Sequence, residues 1–165
     1  MAFEKTPGGT RGTNMPSFLT PVMKLVNNQM IRRFRRPGAG GGKAAGMDGL
    51  VLTTIGAKTG KRRQTLLGTI PDGYDNWLIV ASAGGAAKNP AWYFNLAARP
   101  DQVQIEVGGK SLNVTATQLT GQERDAAWQR ITAAQPRYAG YEKKTDRVLP
   151  VIPSPRFSRG PPVRA

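Results

Sequence analysis

Cysteine and histidine are both absent from this 165-residue chain, and only 10 of its residues are Asp or Glu. The first absence removes disulfide frameworks, thiol nucleophiles, dithiol redox pairs and iron–sulfur ligation. The second removes the common zinc sites, the Ser-His-Asp triad and histidine acid–base catalysis. Chemistry here must rest on Tyr, Lys, Arg, Ser, a few carboxylates or an organic cofactor, and no metal site is expected. Long apolar runs are missing too. No stretch approaches the ~18 residues of a membrane-spanning helix, and the opening MAFEKTPGGTRGTNM lacks the apolar segment of a secretory signal. A cytoplasmic protein is the expectation.

What is present is positive charge. With 24 Lys and Arg the formal net charge is +14. A field of that size draws nucleic acid, an anionic membrane or a small polyanionic ligand, and does not by itself choose among them. The hydrophobic share is 39%, against 20 Gly and 13 Pro, so part of the chain contributes little to a core. At this length one domain is expected, burying roughly 70% of its unfolded surface. Composition marks residues 1–15 as a disordered leader, 16–153 as the single domain and 154–165 as a disordered basic tail.

Periodicity divides the domain. Leu19, Val22, Met23, Val26, Met30 and Phe34 recur at helical steps, predicting a helix over 16–36 that Pro37 and the run Gly38-Ala39-Gly40-Gly41-Gly42 end. Arg32, Arg33, Arg35 and Arg36 crowd its last turns. They fit an ordinary helix whose cations complement the dipole, the commoner case. They also fit a basic amphipathic helix lying on an anionic membrane or over a ligand groove, and a peripheral contact at the inner membrane face follows from that second reading.

Strand signals then take over at Leu50–Ile55, Thr65–Ile70 and Trp77–Ser82, with turns at Gly56–Gly60 and Pro71–Asn76. Asn89-Pro90 reads as an N-cap followed by proline at the first position of a helix over Pro90–Ala98. Gln102–Val107 and Ser111–Leu119 flank a Gly108-Gly109 hairpin turn. Thr120-Gly121-Gln122-Glu123 has capping-box spacing and opens a helix to about Gln135, whose apolar members include Ala127, Trp128 and Ile131. TDRVLPVIP supplies a last strand. The result is an antiparallel meander of five or six strands with N-terminal, middle and late helices, mainly β with helices (α+β). It suits a small barrel better than a parallel sheet.

Two nucleotide fingerprints come close and fail. In Gly56-Ala57-Lys58-Thr59-Gly60-Lys61-Arg62 the glycines are one residue too near for a P-loop, and Arg62 stands where Ser or Thr should hold magnesium. Gly40-Gly41-Gly42-Lys43-Ala44-Ala45 fits a dinucleotide pattern but follows a helix, not a strand. What remains is a tight turn carrying Lys58, Lys61, Arg62 and Arg63. Their mutual repulsion would be offset by an anionic ligand, or simply by water at a hairpin tip. Ala81-Ser82-Ala83-Gly84-Gly85 ends a buried strand with small residues, so that a flat ring could reach the backbone, or the chain merely turns. Trp92 and Tyr93 on their helix fit core packing better than a ligand wall. Tyr138 and Tyr141, three apart, face one way on a helical turn and either pack or cap a pocket and donate a proton.

In order, VLTTIGAKTGKRR, WLIVASAGGAAKNPAWYFNLAARPDQVQIEVGG and PRYAGYEKKTDRVLPVIP resemble the deazaflavin (coenzyme F420)-dependent nitroreductase and quinone reductase family, over about Leu19 to Pro153. The resemblance implies the split β-barrel of flavin-binding oxidases, with coenzyme F420 as cofactor and FMN as the alternative. It implies that Lys58 and Arg63 in the Lys58-Thr59-Gly60 turn hold the phosphate, with Lys61, Arg62 and Lys88 near the acidic tail. The ring would lie by Leu66-Leu67 and the Ala81-Ser82 backbone, beside Ala83, Gly84, Gly85 and Trp92. Ser82, Tyr138 and Tyr141 would face the acceptor: a quinone, nitroaromatic or activated enone that takes a hydride. Ala57 and Ala83 stand where some relatives carry a cation, and Gln135 where some carry tyrosine. A basic nucleic-acid-binding barrel is the reading from another class. The 7% aromatic content and the lack of a stacking-platform motif speak against it, so no nucleic-acid partner is expected.

Overall fold

A computed structural model describes residues 3–36, 43–44, 46–73 and 76–155. After a single 3-10 turn at Ser17–Leu19, the elements run α1 (Thr20–Phe34), β1 (Lys43–Ala44), β2 (Met47–Ile55), β3 (Arg62–Gly68), β4 (Ile70–Asp72) and β5 (Asn76–Val80). There follow α2 (Ala91–Ala98), β6 (Val103–Val107), β7 (Lys110–Val114), α3 (Gly121–Ala134), α4 (Arg137–Lys144) and β8 (Val151–Pro155).

The strands form two antiparallel sheets. One has the order β1-β2-β6-β7, with β3 on β2; the other is β4-β5-β8. This corrects the meander expected from sequence. β2 pairs with β6 as well as with β3, and β5 with β8, joining segments that alternation alone cannot match. The chain passes between the sheets at Gly68-Thr69, where the Thr69 amide donates to Asp48 at 2.7 Å. No closed barrel forms among the described residues.

Burial explains the strand sequences. WLIVAS reads as a continuous apolar run because β5 is covered on both sides. Ile79 and Ala81 face one core with Leu50, Leu52, Leu96 and Ile105, while Leu78 and Val80 face another with Ala127, Trp128, Ile131 and Val151. Helix α2 closes the first core, and α3 with α4 the second. Helix α1 packs Ile31 and Phe34 on Val51 and Leu66, while its Val22, Leu25, Val26 and Met30, and Phe18 in the turn before it, stay exposed.

Two helix starts differ from expectation. Pro90, in extended backbone, takes the cap position of α2, and Asn89 makes no cap. Its side chain instead donates to Thr6 O at 3.0 Å and accepts from Arg147 at 2.8 Å. Thr120 caps α3 without a side-chain bond.

Residues of the leader contact the domain. Phe3 packs on Tyr93 with ring centroids 5.6 Å apart, the Thr6 amide donates to the Tyr93 hydroxyl at 2.8 Å, and Gln118 donates to the Thr6 hydroxyl at 2.6 Å. The anchoring joins a ring, a hydroxyl and a backbone amide of the leader to residues some ninety to a hundred and ten positions on, a match that composition does not record. At the other end, Ser154 and Pro155 extend β8 opposite Trp77 and Asn76 rather than opening a tail. The rest of that tail, the glycine run after Arg36 and the Tyr74-Asp75 turn lie outside the described residues.

Candidate functional site

Three segments converge on one cleft of about 180 Å3. Strand β3 gives Leu66, Leu67 and Gly68; the end of β5 and its loop give Val80, Ser82 and Gly84; α4 gives Arg137, Tyr138 and Tyr141. Ala44 and Met47 complete the lining. The small-residue loop, the Leu66-Leu67 edge and both tyrosines, drawn from three distant stretches, share one cavity. A larger cleft of about 320 Å3 lies between Glu4–Pro7 and the start of α3, and none of the expected site residues lines it.

Tyr138 and Tyr141 meet edge to face, centroids 5.7 Å apart and planes at 88°. Burial raises the Tyr138 phenol above its ordinary pKa of 10.0, the neighbouring Tyr141 adds to the rise, and Arg137 opposes it. The phenol thus keeps its proton throughout the neutral range. Helix α4 is anchored by Glu142, which accepts from the Trp128 indole at 2.9 Å, and it rests directly on the loop. A Cβ at Gly85 would come within 2.8 Å of the Tyr141 carbonyl oxygen, so only glycine permits this approach.

The loop is conformationally costly. Ala83, Gly84 and Gly85 all adopt left-handed backbone, with φ of 46°, 63° and 85°. Glycine tolerates this; alanine does not readily. Arg147, buried beneath, donates to the carbonyls of Ala81 at 3.0 Å, Ser82 at 2.7 Å and Ala86 at 2.7 Å. Desolvation lowers its pKa, yet a guanidinium remains charged. Ala81 itself is fully buried.

At the far end of β3 stands the basic turn. Lys58, Thr59, Gly60, Lys61, Arg62 and Arg63 are all exposed. The turn is braced at its root. Asn95 accepts from the Ala57 amide at 2.9 Å while donating to Thr54 at 3.1 Å, and Arg99 donates to Gly56 O at 2.8 Å. None of Lys58, Lys61, Arg62 or Arg63 joins an ion pair among the described residues. Arg62 leans across the sheet to Gln104 at 3.1 Å, on the face that α1 covers, whereas Arg63 lies on the face of Thr54 and Leu67. Lys88 is exposed and lines neither cleft. From Arg63 to Leu66 is three strand residues, about 10 Å.

Trp92 falls elsewhere. It is 8% exposed and sits in the core beneath α2 with Tyr93, so it does not line the cleft. Sequence reasoning missed Asn95, Arg99, Arg137, Asp146 and Arg147. A polar Asn inside the apolar helix AWYFNLAA was the visible signal for the first. Arg99, Asp146 and Arg147 bind partners tens of residues away and left no local trace, and Arg137 is marked only by its place on the cleft wall.

The F420H(2)-dependent quinone reductase family model matches residues 25–154. An F420H(2)-dependent quinone reductase of Mycobacterium tuberculosis is 44% identical over 106 residues, which is 62% of this chain and 70% of that one. A solved F420-H2 dependent reductase aligns with TM-score 0.56 and 42% identity, over 64% of this chain and 91% of its own. A second solved structure, described as a domain-swapped dimer, aligns with TM-score 0.58 and 34% identity, over 83% and 98%.

Proposed function

The chain belongs to the F420H(2)-dependent quinone reductase family, and on that premise we propose that it uses coenzyme F420 to reduce a quinone in the cleft between β3, the Ala81–Gly85 loop and α4. The observation that carries this reading is the joining of that cleft, through a single strand, to a turn of unpaired cations. Coenzyme F420 has the matching shape: a flat ring, then a ribityl phosphate and an oligoglutamate tail. Lys58 and Arg63 hold the phosphate, the bare loop backbone and Leu66-Leu67 receive the ring, and Lys61, Arg62 and Lys88 meet the acidic tail. Trp92 backs this site from the core.

The reduced cofactor, when bound, supplies a hydride from its C5 carbon. The protein's task is to stack acceptor on ring, exclude water and complete the reduction with a proton. Tyr138 is the proton donor, because burial keeps its phenol protonated. Tyr141 fixes the ring of Tyr138, and Ser82 hydrogen-bonds the acceptor oxygen. Nothing in this scheme needs His or Cys. Activated enones and nitroaromatics also accept a hydride, the nitro group needing a proton from solvent as well for one oxygen to leave as water, and we read both as secondary substrates. We read the two sheets as the halves of a split β-barrel, and FMN as the less suited ligand because it lacks the acidic tail.

Two further readings attach to the whole protein. The exposed Phe18 of the preceding turn and Val22, Leu25 and Met30 of α1, beside Lys24, Arg32 and Arg33, suit a peripheral contact with an anionic membrane from the cytoplasmic side. The same face suits assembly with a second copy. Vesicle co-sedimentation of a Phe18→Glu, Leu25→Glu variant separates them. Lost pelleting with an unchanged mass supports the membrane, and a lost dimer supports the copy.

The catalytic reading is tested by mixing the protein anaerobically with reduced F420 and a soluble quinone and following the return of oxidised deazaflavin absorbance. Turnover that depends on the protein supports it; none with any quinone, nitro or enone acceptor refutes it.

A further inference from the structure

Residues ahead of the family match at 25–154 take part in the site's architecture. The segment Gly9–Thr13 lies across the outer side of the Ala81–Ala87 loop. The Gly9 amide donates to Ala87 O at 2.8 Å, the Thr13 amide to Gly85 O at 3.0 Å and the Thr13 hydroxyl to Gly84 O at 3.2 Å. Thr13 also pairs with Ala86 as a short parallel bridge. The approach is so close that a Cβ on Gly12 would lie 2.6 Å from Ala86 C and from Gly85 O.

A hook fixes this strap in place. The Asp146 carboxylate accepts from the amides of Thr10 at 2.8 Å and Arg11 at 3.0 Å, and from the Thr10 hydroxyl. The adjoining Arg147 grips the same loop from its buried side, through Ala81, Ser82 and Ala86. Two neighbouring residues therefore organise both faces of a loop that carries three successive left-handed residues, one of them alanine. Such a conformation persists only where its surroundings over-determine it.

We infer that the Gly9–Thr13 strap, hooked on Asp146, is a positioning element that holds the Ala81–Ala87 loop in the shape that receives the cofactor ring. This rests on the function proposed above. The strap touches the loop's outer carbonyls and lines no part of the cleft, so it acts through the loop alone.

The test uses full-length Gly12→Ala, which forces the strap off the loop, and Asp146→Ala, which removes the hook. Gly8→Ala is the control, since its Cβ would meet only Ala87 O at 3.5 Å. Hydrogen exchange across residues 81–87 should rise roughly tenfold or more in both test variants, with the melting temperature near that of the unmodified chain. F420 dissociation constants should rise roughly tenfold, and KM for reduced F420 with them, at unchanged kcat. Gly8→Ala should match the unmodified chain in all of these. Unchanged exchange, or raised exchange with unchanged F420 affinity, overturns the inference and leaves the functional reading standing. Failure of the unmodified chain to bind F420 at all overturns the functional reading, and this inference with it.

Discussion

Tyr138 combines burial with a place on the cleft wall, and its chemistry follows from that position. A phenol that loses water favours its neutral form, so its pKa moves up from 10.0. The sign has two consequences. Stability tied to the neutral phenol is fully present below pH 10 and is lost as pH rises through the raised value. Turnover should hold its plateau across neutral pH. Tyr138→Phe should lower kcat by about 10²-fold, within the usual range for a proton donor, and leave F420 affinity unchanged; steady-state kinetics and a binding titration check this. Asp146 shows the opposite sign. Hydrogen bonds from the Thr10 hydroxyl, then the Arg11 amide, hold its carboxyl down at about 2, from 3.8. The hook's contribution is therefore complete above pH 3.8 and disappears as pH falls through 2, which exchange of the Thr10 and Arg11 amides at stepped pH will record. The tyrosine pair was legible because three-residue spacing on a helix needs no knowledge of the fold. Asp146 was not, since its partners lie more than a hundred residues away, in a segment whose composition reads as disorder.

Elements were legible where their periodicity was local. The β5 run, the α3 stripe of Ala127, Trp128 and Ile131, and the hairpin at Gly108-Gly109 all stand where alternation and turn chemistry put them. Pairing was not, because β2 chooses β6 some fifty residues on, and a strand's own sequence says that it pairs without saying with what. Trp92 belongs to the same lesson, since aromatics in a helix facing a sheet mostly fill core. Trp92→Ala should cost about 3–5 kcal/mol in chemical denaturation, and Trp92→Phe should keep F420 affinity within twofold. Helix α1 has its own role at the edge of β3. The Asn27 side chain donates to Gln64 O at 3.0 Å and accepts from Leu66 N at 3.2 Å, pairing a strand edge that has no neighbour strand among the described residues. Asn27→Ala should destabilise by about 1–2 kcal/mol in urea titration and raise KM for reduced F420, because Leu66 lines the cleft.

Over the whole molecule, a charge of +14 is held by a fold with few carboxylates to balance it. Arg35 is paired with Glu106 at 2.7 Å and Lys43 with Asp48 at 2.7 Å, so those cations are already committed. Among the described residues the cations of the 58–63 turn have no ion pair, and they stand at the start of a strand that runs into the cleft. The charge was plain in the sequence, and its use was not. Composition cannot tell a solvated hairpin tip from a phosphate clamp, and only the two-sheet arrangement brings the turn's strand and the glycine loop to one place. The central claim is that this turn and loop together hold a polyanionic deazaflavin. The most direct measurement is an equilibrium titration of the purified protein with F420 and with FMN, at low and at high salt, repeated with Lys58→Ala and Arg63→Ala. F420 should bind more tightly than FMN, with affinity that falls as salt rises, and each substitution should cost about 1.5 kcal/mol, a little over tenfold. Equal or stronger binding of FMN, or F420 binding indifferent to salt and to both substitutions, would contradict it.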